Sequence, residues 1–282
     1  MKINKKQIDL KDCLNKEWII SNGTGGFCSS TVLGANTRRY HGLLIAPLLP
    51  PAQRHLLVSK LDESIFVNGE SYNLFTNVCR DYISDGYKNL DSFEKEYLPV
   101  FTYKVNDIKI TKTICMVYGR NTVVVQYEIK NGKNEAKFTL APIVNFRDFH
   151  QMKTNHEFSL KQKTDKTKVR LEIDGNANTP IYMFSNSGEY IMHENDTFRN
   201  MFYLKEEERG FFPEENHVVP GRYEIIIKPR EIKEITFVVS LEDNTEQINS
   251  KKVIENEIAR QKQIVENTGL LKNKSLSIIL PK

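Results

Sequence analysis

Two short polar clusters contain the side chains of this sequence that could do chemistry. The first cluster is Arg38, Arg39, Tyr40 and His41, which stand directly before the apolar residues 42–44. Guanidinium and imidazole groups are directional hydrogen-bond donors, so this cluster could bind sugar hydroxyls or orient a carboxylate. The alternative is structural: a buried arginine pairs with an acid, and the histidine hydrogen-bonds to the backbone at a domain junction. We favour the structural alternative.

The second cluster is Arg147, Asp148, Phe149 and His150. Neighbouring residues of a strand point to opposite sides, so Asp148 and His150 would share one face. An aspartate and a histidine on one face could form an acid–base pair. No serine or cysteine nucleophile is identifiable beside them, so we favour a hydrogen-bonded loop anchor.

A glycine-rich stretch and the histidines are two further places where a ligand could bind. Residues 22–27 lack the third glycine of a dinucleotide fingerprint because that position is Cys28, and no phosphate-loop lysine follows. The six histidines are scattered and never take the spacing of a zinc-binding helix. We therefore expect neither a cofactor nor a metal.

Runs of neighbouring acids could supply the two carboxyl groups that glycoside hydrolysis needs. Such runs are usually solvated surface, so we assign no catalytic residue to them. The runs are Asp62-Glu63, Glu206-Glu207-Glu208 and Glu214-Glu215.

Charge and cysteine content limit the class of protein. The 282 residues carry 40 basic and 36 acidic side chains, a formal net charge of +4. Nucleic-acid and membrane-surface binding normally need a concentrated basic stripe, so we expect neither partner. The four cysteines form no C-x-x-C pair, and the first residues lack the apolar core of a secretory signal. These features are typical of a cytoplasmic protein with reduced thiols.

Short alternating runs separated by turn signals predict many strands between about residues 19 and 241. Asn-Gly and Asp-Gly pairs adopt the positive φ angles of two-residue hairpins, which join antiparallel strands. The sequence therefore predicts the all-β class and a large antiparallel β-sandwich. The predicted turns are Asn68-Gly69, Asn106-Asp107, Asn131-Gly132, Asp174-Gly175 and Asn186-Ser187-Gly188.

Residues 244–268 predict one long helix. Ile254, Ile258 and Val265 form a narrow apolar stripe at helical spacing, and Gly269 is a typical C-terminal stop. A helix with so narrow an apolar stripe is not deeply buried. We therefore expect this helix to lie on the surface of the sandwich or to bridge to another unit.

The helix divides the chain into two predicted parts. Asp243 or Asn244 is the expected cap, so residues 1–242 form the sandwich and residues 243–282 form a linker helix and tail. The apolar tail from residue 275 onward predicts that the chain is truncated before a further domain. The alternative is that this tail docks back on the sandwich.

A long pattern of short motifs occupies the first 63 residues, with weaker matches later in the chain. The positions are residues 17–27, Thr31, residues 34–44, Pro50-Pro51, Arg54, residues 57–63, residues 144–150 and, more loosely, residues 209–211 and 220–221. This pattern resembles the N-terminal domain of bacterial and archaeal glycogen debranching enzymes of the amylo-α-1,6-glucosidase type. The resemblance covers about residues 16–240. Small departures are Phe27, where the family often has tyrosine, and Cys28, where it often has a small residue.

The resemblance implies a function for the protein to which this chain would belong. It implies the β-sandwich that precedes the catalytic domain of glucoamylase-like enzymes, with residues 244–268 as the connector. The parent enzyme would hydrolyse α-1,6-glucosidic branch linkages in glycogen or related α-glucans. Its catalytic carboxylates would lie on a helical (α/α) toroid, and nothing in this sequence resembles one.

We therefore expect a non-catalytic domain that packs on its own catalytic toroid and helps to shape the substrate cleft. The alternatives are a free-standing α-glucan-binding module, a complete small hydrolase and a purely structural role. The candidates for the domain junction or the cleft wall are Arg38, Arg39, Tyr40, His41, Arg147, Asp148 and His150.

Overall fold

The computed structural model describes residues 1–194 and 196–268, and most of these residues form strands. The first half of the chain forms β1 (Lys2–Asn4), β2 (Glu17–Ser21), β3 (Phe27–Thr31), β4 (Gly42–Leu49), β5 (Ala52–Val67), β6 (Glu70–Asn73), β7 (Val78–Cys79), β8 (Tyr82–Ile83), β9 (Leu90–Lys95), β10 (Pro99–Val105), β11 (Ile108–Met116) and β12 (Thr122–Lys130). The second half forms β13 (Ala136–Asp148), β14 (Leu160–Asp165), β15 (Lys168–Ile173), β16 (Ile181–Ser185), β17 (Glu189–Met192), β18 (Thr197–Phe202), β19 (Glu214–Val218), β20 (Gly221–Ile227) and β21 (Ile232–Ser240). The helices are α1 (Leu10–Cys13), α2 (Leu204–Glu207) and α3 (Ser250–Asn267).

Within the described residues the strands form two large sheets and the small hairpin β7–β8. The first sheet has the order β1-β9-β10-β11-β12-β21-β16-β15-β14. The second sheet follows β17-β20-β13-β5-β4-β3-β2, with β19 on β13, β18 on β19, and β6 on β5. The pairs are antiparallel throughout. The predicted all-β antiparallel sandwich is confirmed.

Turn signals predicted hairpins correctly at some positions and wrongly at others. Asn68 and Gly69 both have positive φ angles, 56° and 82°, and join β5 to β6 as a two-residue hairpin. Asn131-Gly132 instead connects β12 of the first sheet to β13 of the second, and Asn186-Ser187-Gly188 connects β16 to β17 in the same way. Both hairpin predictions are wrong because a turn signal reports local backbone shape, whereas burial of side chains elsewhere decides which sheet the next strand joins.

The helix near the C-terminus begins later than the sequence predicted. Residues Thr245–Gln247 form a single 3-10 turn, and α3 starts after Asn249, whose side chain accepts a hydrogen bond of 3.0 Å from the amide of Lys252. The expected cap at Asp243 or Asn244 is therefore wrong. Helix α3 lies on strands β11 and β12 of the first sheet, as its narrow apolar stripe indicated. The predicted stop at Gly269 and the tail lie outside the described residues. Within the described part of the chain, no helix is both long and apolar enough to span a bilayer.

Apolar side chains from both sheets fill the space between them. Trp18 is buried there, donates its indole N–H to the carbonyl of Thr31 at 3.0 Å, and meets the ring of Phe101 edge-on at 6.2 Å. Trp18 is therefore a core residue. The aromatic core is typical of a sandwich whose inward-facing residues alternate with outward-facing polar ones.

The carboxylate of Glu63 is buried in this apolar interior. Glu63 on β5 accepts a hydrogen bond of 2.7 Å from the hydroxyl of Tyr127 on β12, and it pairs with the ammonium group of Lys112 on β11. All three side chains are buried. Because Glu63 belongs to the second sheet and its partners to the first, this cluster links the two sheets by charge. The prediction that Asp62-Glu63 is solvated surface is wrong for Glu63.

We expect Lys112→Met to destabilise the sandwich by about 3–5 kcal/mol, because it leaves the carboxylate of Glu63 buried without its cation. The double variant with Glu63→Gln removes that charge, so it should regain much of the lost stability. Equilibrium unfolding in urea measures both values. Lys109→Met, an exposed substitution on the same strand, is the matched control. Equal losses in the single and double variants would contradict the role of the charge.

Candidate functional site

The fold brings the two polar clusters of the sequence together. Arg38, Arg39 and Tyr40 lie on the loop between β3 and β4, and His150 lies just beyond the end of β13. The guanidinium of Arg39 donates a hydrogen bond of 2.9 Å to the carbonyl of His150. The hydroxyl of Tyr40 lies 3.3 Å from Nδ1 of His150. Residues more than one hundred positions apart therefore form one surface.

His41 is a buried structural residue beneath that surface. Its Nδ1 accepts a hydrogen bond of 3.1 Å from the amide of Thr37, so the neutral ring carries its proton on Nε2. Burial, with a smaller effect from the charge of Arg38, lowers the pKa of His41 to about 3. Arg38 itself pairs with Glu17 at 2.7 Å. These contacts fix the two ends of the loop that presents Arg39 and Tyr40.

Arg147 and Glu215 form a fully buried, two-pronged ion pair under the same loop. Nε and one terminal nitrogen of Arg147 donate to the two carboxylate oxygens of Glu215 at 2.5 and 2.9 Å. The same terminal nitrogen donates to the carbonyl of Arg39 at 2.8 Å. Glu215 also accepts hydrogen bonds from the hydroxyl of Tyr203 at 2.7 Å and from the amide of Lys153 at 2.9 Å. This pair connects β13, β19 and the loop before β4.

The charges of this buried cluster are set by its environment. Burial alone would raise the pKa of Glu215, but the charge of Arg147 and the hydrogen bonds from Arg147 and Tyr203 together outweigh burial, so the pKa is lowered. Burial lowers the pKa of His217 to about 4, although Glu215 opposes the shift. The side-chain amide nitrogen of Asn145 donates a hydrogen bond of 3.2 Å to Nδ1 of His217. Nε2 of His217 then donates to the hydroxyl of Tyr203 at 3.2 Å, so the ring is neutral and fully satisfied.

Asp148 and His150 contact each other without forming the acid–base pair that one strand face would allow. The carboxylate of Asp148 accepts a hydrogen bond of 2.8 Å from the backbone amide of His150, while the imidazole faces Tyr40. The chain leaves β13 at Asp148, so the alternation of a strand no longer applies at His150. The arrangement is a hydrogen-bonded loop anchor.

Two acids that sequence reasoning treated as solvated surface are in fact central to the site. Glu206 and Glu215 are both completely buried. Glu206 accepts a hydrogen bond of 3.3 Å from the amide of Arg39, and its carboxylate also lies 3.3 Å from Nε of the same residue. The arginines beside apolar strands were the one sequence signal that buried acids exist elsewhere in the chain. That signal does not identify the acids, because Arg147 and Glu215 lie 68 residues apart and Arg39 and Glu206 lie 167 residues apart.

The exposed part of the site combines a cation with aromatic rings. The guanidinium of Arg39 lies over the rings of Tyr40 and Phe211, at 5.2 and 4.8 Å from their centres. Phe211 and its neighbour Phe212 remain 47% and 57% exposed. We call the surface formed by Arg39, Tyr40, His150, Phe211 and Phe212 the Arg39 face. Within this chain, the guanidinium and the rings attract each other through cation–π contact, and the exposed rings leave apolar area at the surface.

The two buried carboxylates beneath the Arg39 face are held by arginines. Glu206 pairs with Arg39 and Glu215 with Arg147, and the lowered pKa of Glu215 keeps it ionised. In the described part of the chain, no three metal-ligating side chains converge. These two carboxylates therefore hold the loop in place.

A family model described as glycogen debranching enzyme N terminal matches residues 16–233. The chain belongs to this family. The matched range includes every candidate residue of the two clusters and both buried acids. A search of curated proteins found no match.

Several solved structures match this chain at low sequence identity and with TM-scores below 0.5. A bacterial glucoamylase complexed with acarbose is 15% identical with a TM-score of 0.44; the match covers 90% of this chain and 36% of the glucoamylase. A putative kojibiose phosphorylase from the human microbiome is 13% identical with a TM-score of 0.33, covering 76% of this chain and 26% of that protein. A GalM/aldose epimerase homologue from C. elegans is 8% identical with a TM-score of 0.44, covering 79% and 98%. The chain thus spans about a third and a quarter of the length of the first two.

The two buried histidines predict a pH dependence of stability. Each has a folded-state pKa below its value in the unfolded chain, so the unfolded chain binds protons first as pH falls below about 6.5. Stability is therefore complete above that pH and is lost toward pH 4 for His217 and pH 3 for His41. We expect a loss of about 2 kcal/mol for each histidine between pH 7 and pH 5, with the slope approaching about 1.4 kcal/mol per pH unit below pH 6, measured by urea unfolding.

His217→Gln removes one titrating group, so its slope over this range should be about half that of the unsubstituted chain. The slope is informative even where the variant is less stable overall. A stability that stays constant from pH 7 to pH 5 would contradict burial of neutral histidines.

Proposed function

We propose that this chain is the non-catalytic N-terminal domain of a glycogen debranching enzyme. The observation that carries the proposal is the family match over residues 16–233. In this proposal residues 1–242 form the supporting domain, and α3 within residues 243–282 is the connector to a catalytic (α/α) toroid. The parent enzyme hydrolyses α-1,6-glucosidic branch linkages in glycogen or related α-glucans.

The Arg39 face is the surface that we assign to the junction with the catalytic domain, where it also shapes one wall of the substrate cleft. Arginine and aromatic side chains dominate the binding energy of protein interfaces. Here the partly buried guanidinium of Arg39 lies against the exposed ring of Phe211, and the exposed Phe212 follows it in the chain. Arg147 and His41 lie beneath this surface and hold the loop in place before the partner arrives. A preformed loop lowers the entropy that association would otherwise cost.

The contacts of the two buried carboxylates bear on which domain carries the catalytic groups. Glycoside hydrolysis needs one protonated carboxyl group and a second carboxylate about 5–9 Å away. Glu206 and Glu215 are held by arginines beneath the Arg39 face, so in this proposal both catalytic groups belong to the toroid and this chain alone is inactive. The buried free thiols of Cys13, Cys28 and Cys115 suit a reducing, cytoplasmic location.

We expect this chain to bind the (α/α) catalytic domain encoded by the same organism when the two are mixed. Arg39→Ala should weaken the complex at least about tenfold, because it removes the cation between Tyr40 and Phe211. Phe211→Ala combined with Phe212→Ala should weaken it at least as much. Titration calorimetry measures the dissociation constants.

The matched control is Phe66→Ala combined with Ile226→Ala, two apolar residues that are exposed on the outer face of the second sheet. This control should leave the affinity unchanged. The proposal is abandoned if the two domains do not associate, or if the control weakens binding as much as the variants of the Arg39 face. Glucose release from a branched oligosaccharide by the purified chain alone would also overturn it.

A free-standing α-glucan-binding module is the second candidate function. The exposure of Phe211 and Phe212 favours it, because exposed rings stack on the apolar faces of sugars. This alternative predicts measurable heat when the isolated chain is titrated with maltoheptaose, and loss of that heat in the variant without the two rings. Our proposal for the domain junction predicts no such binding by the isolated chain.

A further inference from the structure

A polar groove lies at one end of the sandwich, between β2, the turn after β9 and the C-terminal half of α3. Its volume is about 360 Å³, and pockets that hold small molecules typically measure about 300–1,000 Å³. The groove shares no residue with the Arg39 face. Docking at that face therefore does not explain the groups that line the groove.

Lys95 lines this groove as a partly buried lysine without a counter-ion. It lies two residues after the fully buried Phe93 on β9, so both side chains lie on the inner side of the first sheet. Among the described residues, the ammonium group of Lys95 has neither a hydrogen bond nor an ion pair. Burial lowers the pKa of Lys95, and no acid nearby opposes that shift. An anion in the groove would supply the missing counter-charge.

The acid that lines the groove, Glu257, is already neutralised. Arg260 donates to both of its carboxylate oxygens at 2.7 Å, and Gln261 donates to one of them at 2.8 Å. The guanidinium of Arg260 also lies 4.2 Å from the centre of the Tyr118 ring, which holds it in place. Within the described part of the chain, one terminal nitrogen of Arg260 has no hydrogen-bond partner. The ion pair therefore leaves a donor available to the groove, while its carboxylate is occupied.

Strand β2 adds backbone donors at the edge of the groove. The amide of Asn22 donates to the carbonyl of Gly26 at 3.1 Å, and in an antiparallel pair such bonds recur at every second residue. The amides of Ile19 and Ser21 fall between the bonded positions, so they face away from β3. No hydrogen-bond partner for them lies among the described residues, and both residues line the groove.

The free groups of the groove are thus donors: the ammonium of Lys95, one nitrogen of Arg260 and the amide of Ser21. Lys262 adds a further positive charge, since its ammonium lies 5.7 Å from the centre of the Tyr97 ring. Arginine, lysine and backbone amides are the groups with which proteins bind phosphate. The groove therefore favours an anion with several acceptor oxygens over a neutral ligand.

We propose that this groove binds a phosphate group, either as inorganic phosphate or as the phosphate monoester of a sugar. Lys95 and Arg260 pair with the phosphate oxygens, and the amide of Ser21 donates to one of them. The ring of Tyr97 then lies beside the sugar of a monoester. Binding here does not require docking at the Arg39 face, so either proposal can fail while the other holds.

NMR spectra of the full chain, titrated with sodium phosphate at constant ionic strength, test this proposal. We expect the amide signals of Ile19 and Ser21 to shift, with a dissociation constant of about 1 mM or below. Lys95→Met should weaken binding at least about tenfold, because it removes the cation that lacks a counter-ion. The matched control Lys104→Met removes an equal charge at the far end of β10 and should leave the affinity unchanged. The amide signal of Trp18 reports that the sheet is intact in both variants.

Glucose 6-phosphate and glucose are the further probes, and they distinguish the two sources of the phosphate group. Tighter binding of glucose 6-phosphate than of inorganic phosphate would identify a sugar phosphate, and Tyr97→Ala should then reduce the difference. Equal or weaker binding of glucose 6-phosphate would identify inorganic phosphate. The proposal is wrong if neither phosphate probe binds at about 10 mM, or if glucose binds as tightly as its phosphate. It is also wrong if Lys104→Met weakens binding as much as Lys95→Met, because only the net charge would then matter.

Discussion

The exposed site depends on the buried ion pair of Arg147 and Glu215. Taking both charges out of water is costly, and the cost is offset only where the pair is close and its remaining donors and acceptors are satisfied. Here the hydroxyl of Tyr203 and the backbone amide of Lys153 donate hydrogen bonds to the carboxylate of Glu215. The guanidinium of Arg147 also donates to the carbonyl of Arg39. A displacement of any of these segments leaves a buried charge without its partner. The buried ion pair therefore fixes the position of the loop that carries Arg39.

The second sheet carries a buried acid on each of its two faces. Glu63 on β5 points into the apolar interior toward Lys112, whereas Glu215 on β19 lies on the outer side with Arg147 of β13. A slip of one residue in strand register moves every side chain to the opposite face. Such a slip would place both charges away from their partners, at a cost of several kcal/mol each. The apolar pattern sets the register of the strands, and these two ion pairs add to the cost of a slip.

The fold class was predictable from the sequence because strand alternation and turn residues are local signals. Asn68-Gly69 makes the hairpin that its residues predict, while Asn131-Gly132 connects the two sheets, since a turn does not encode which sheet the next strand joins. The arginines of the site were recognisable from their position beside apolar strands. Their partners Glu206 and Glu215 were not, because each stands in a run of acids that looks solvated, and burial arises only when distant strands meet.

The loop that presents the Arg39 face is also tied to the edge strand of the second sheet. Glu17, the first residue of β2, pairs with Arg38 on this loop at 2.7 Å. Because Arg38 precedes Arg39 directly, a displacement of β2 would move the backbone that carries the Arg39 guanidinium. The position of the Arg39 face therefore depends on β2 as well as on the buried pair of Arg147 and Glu215.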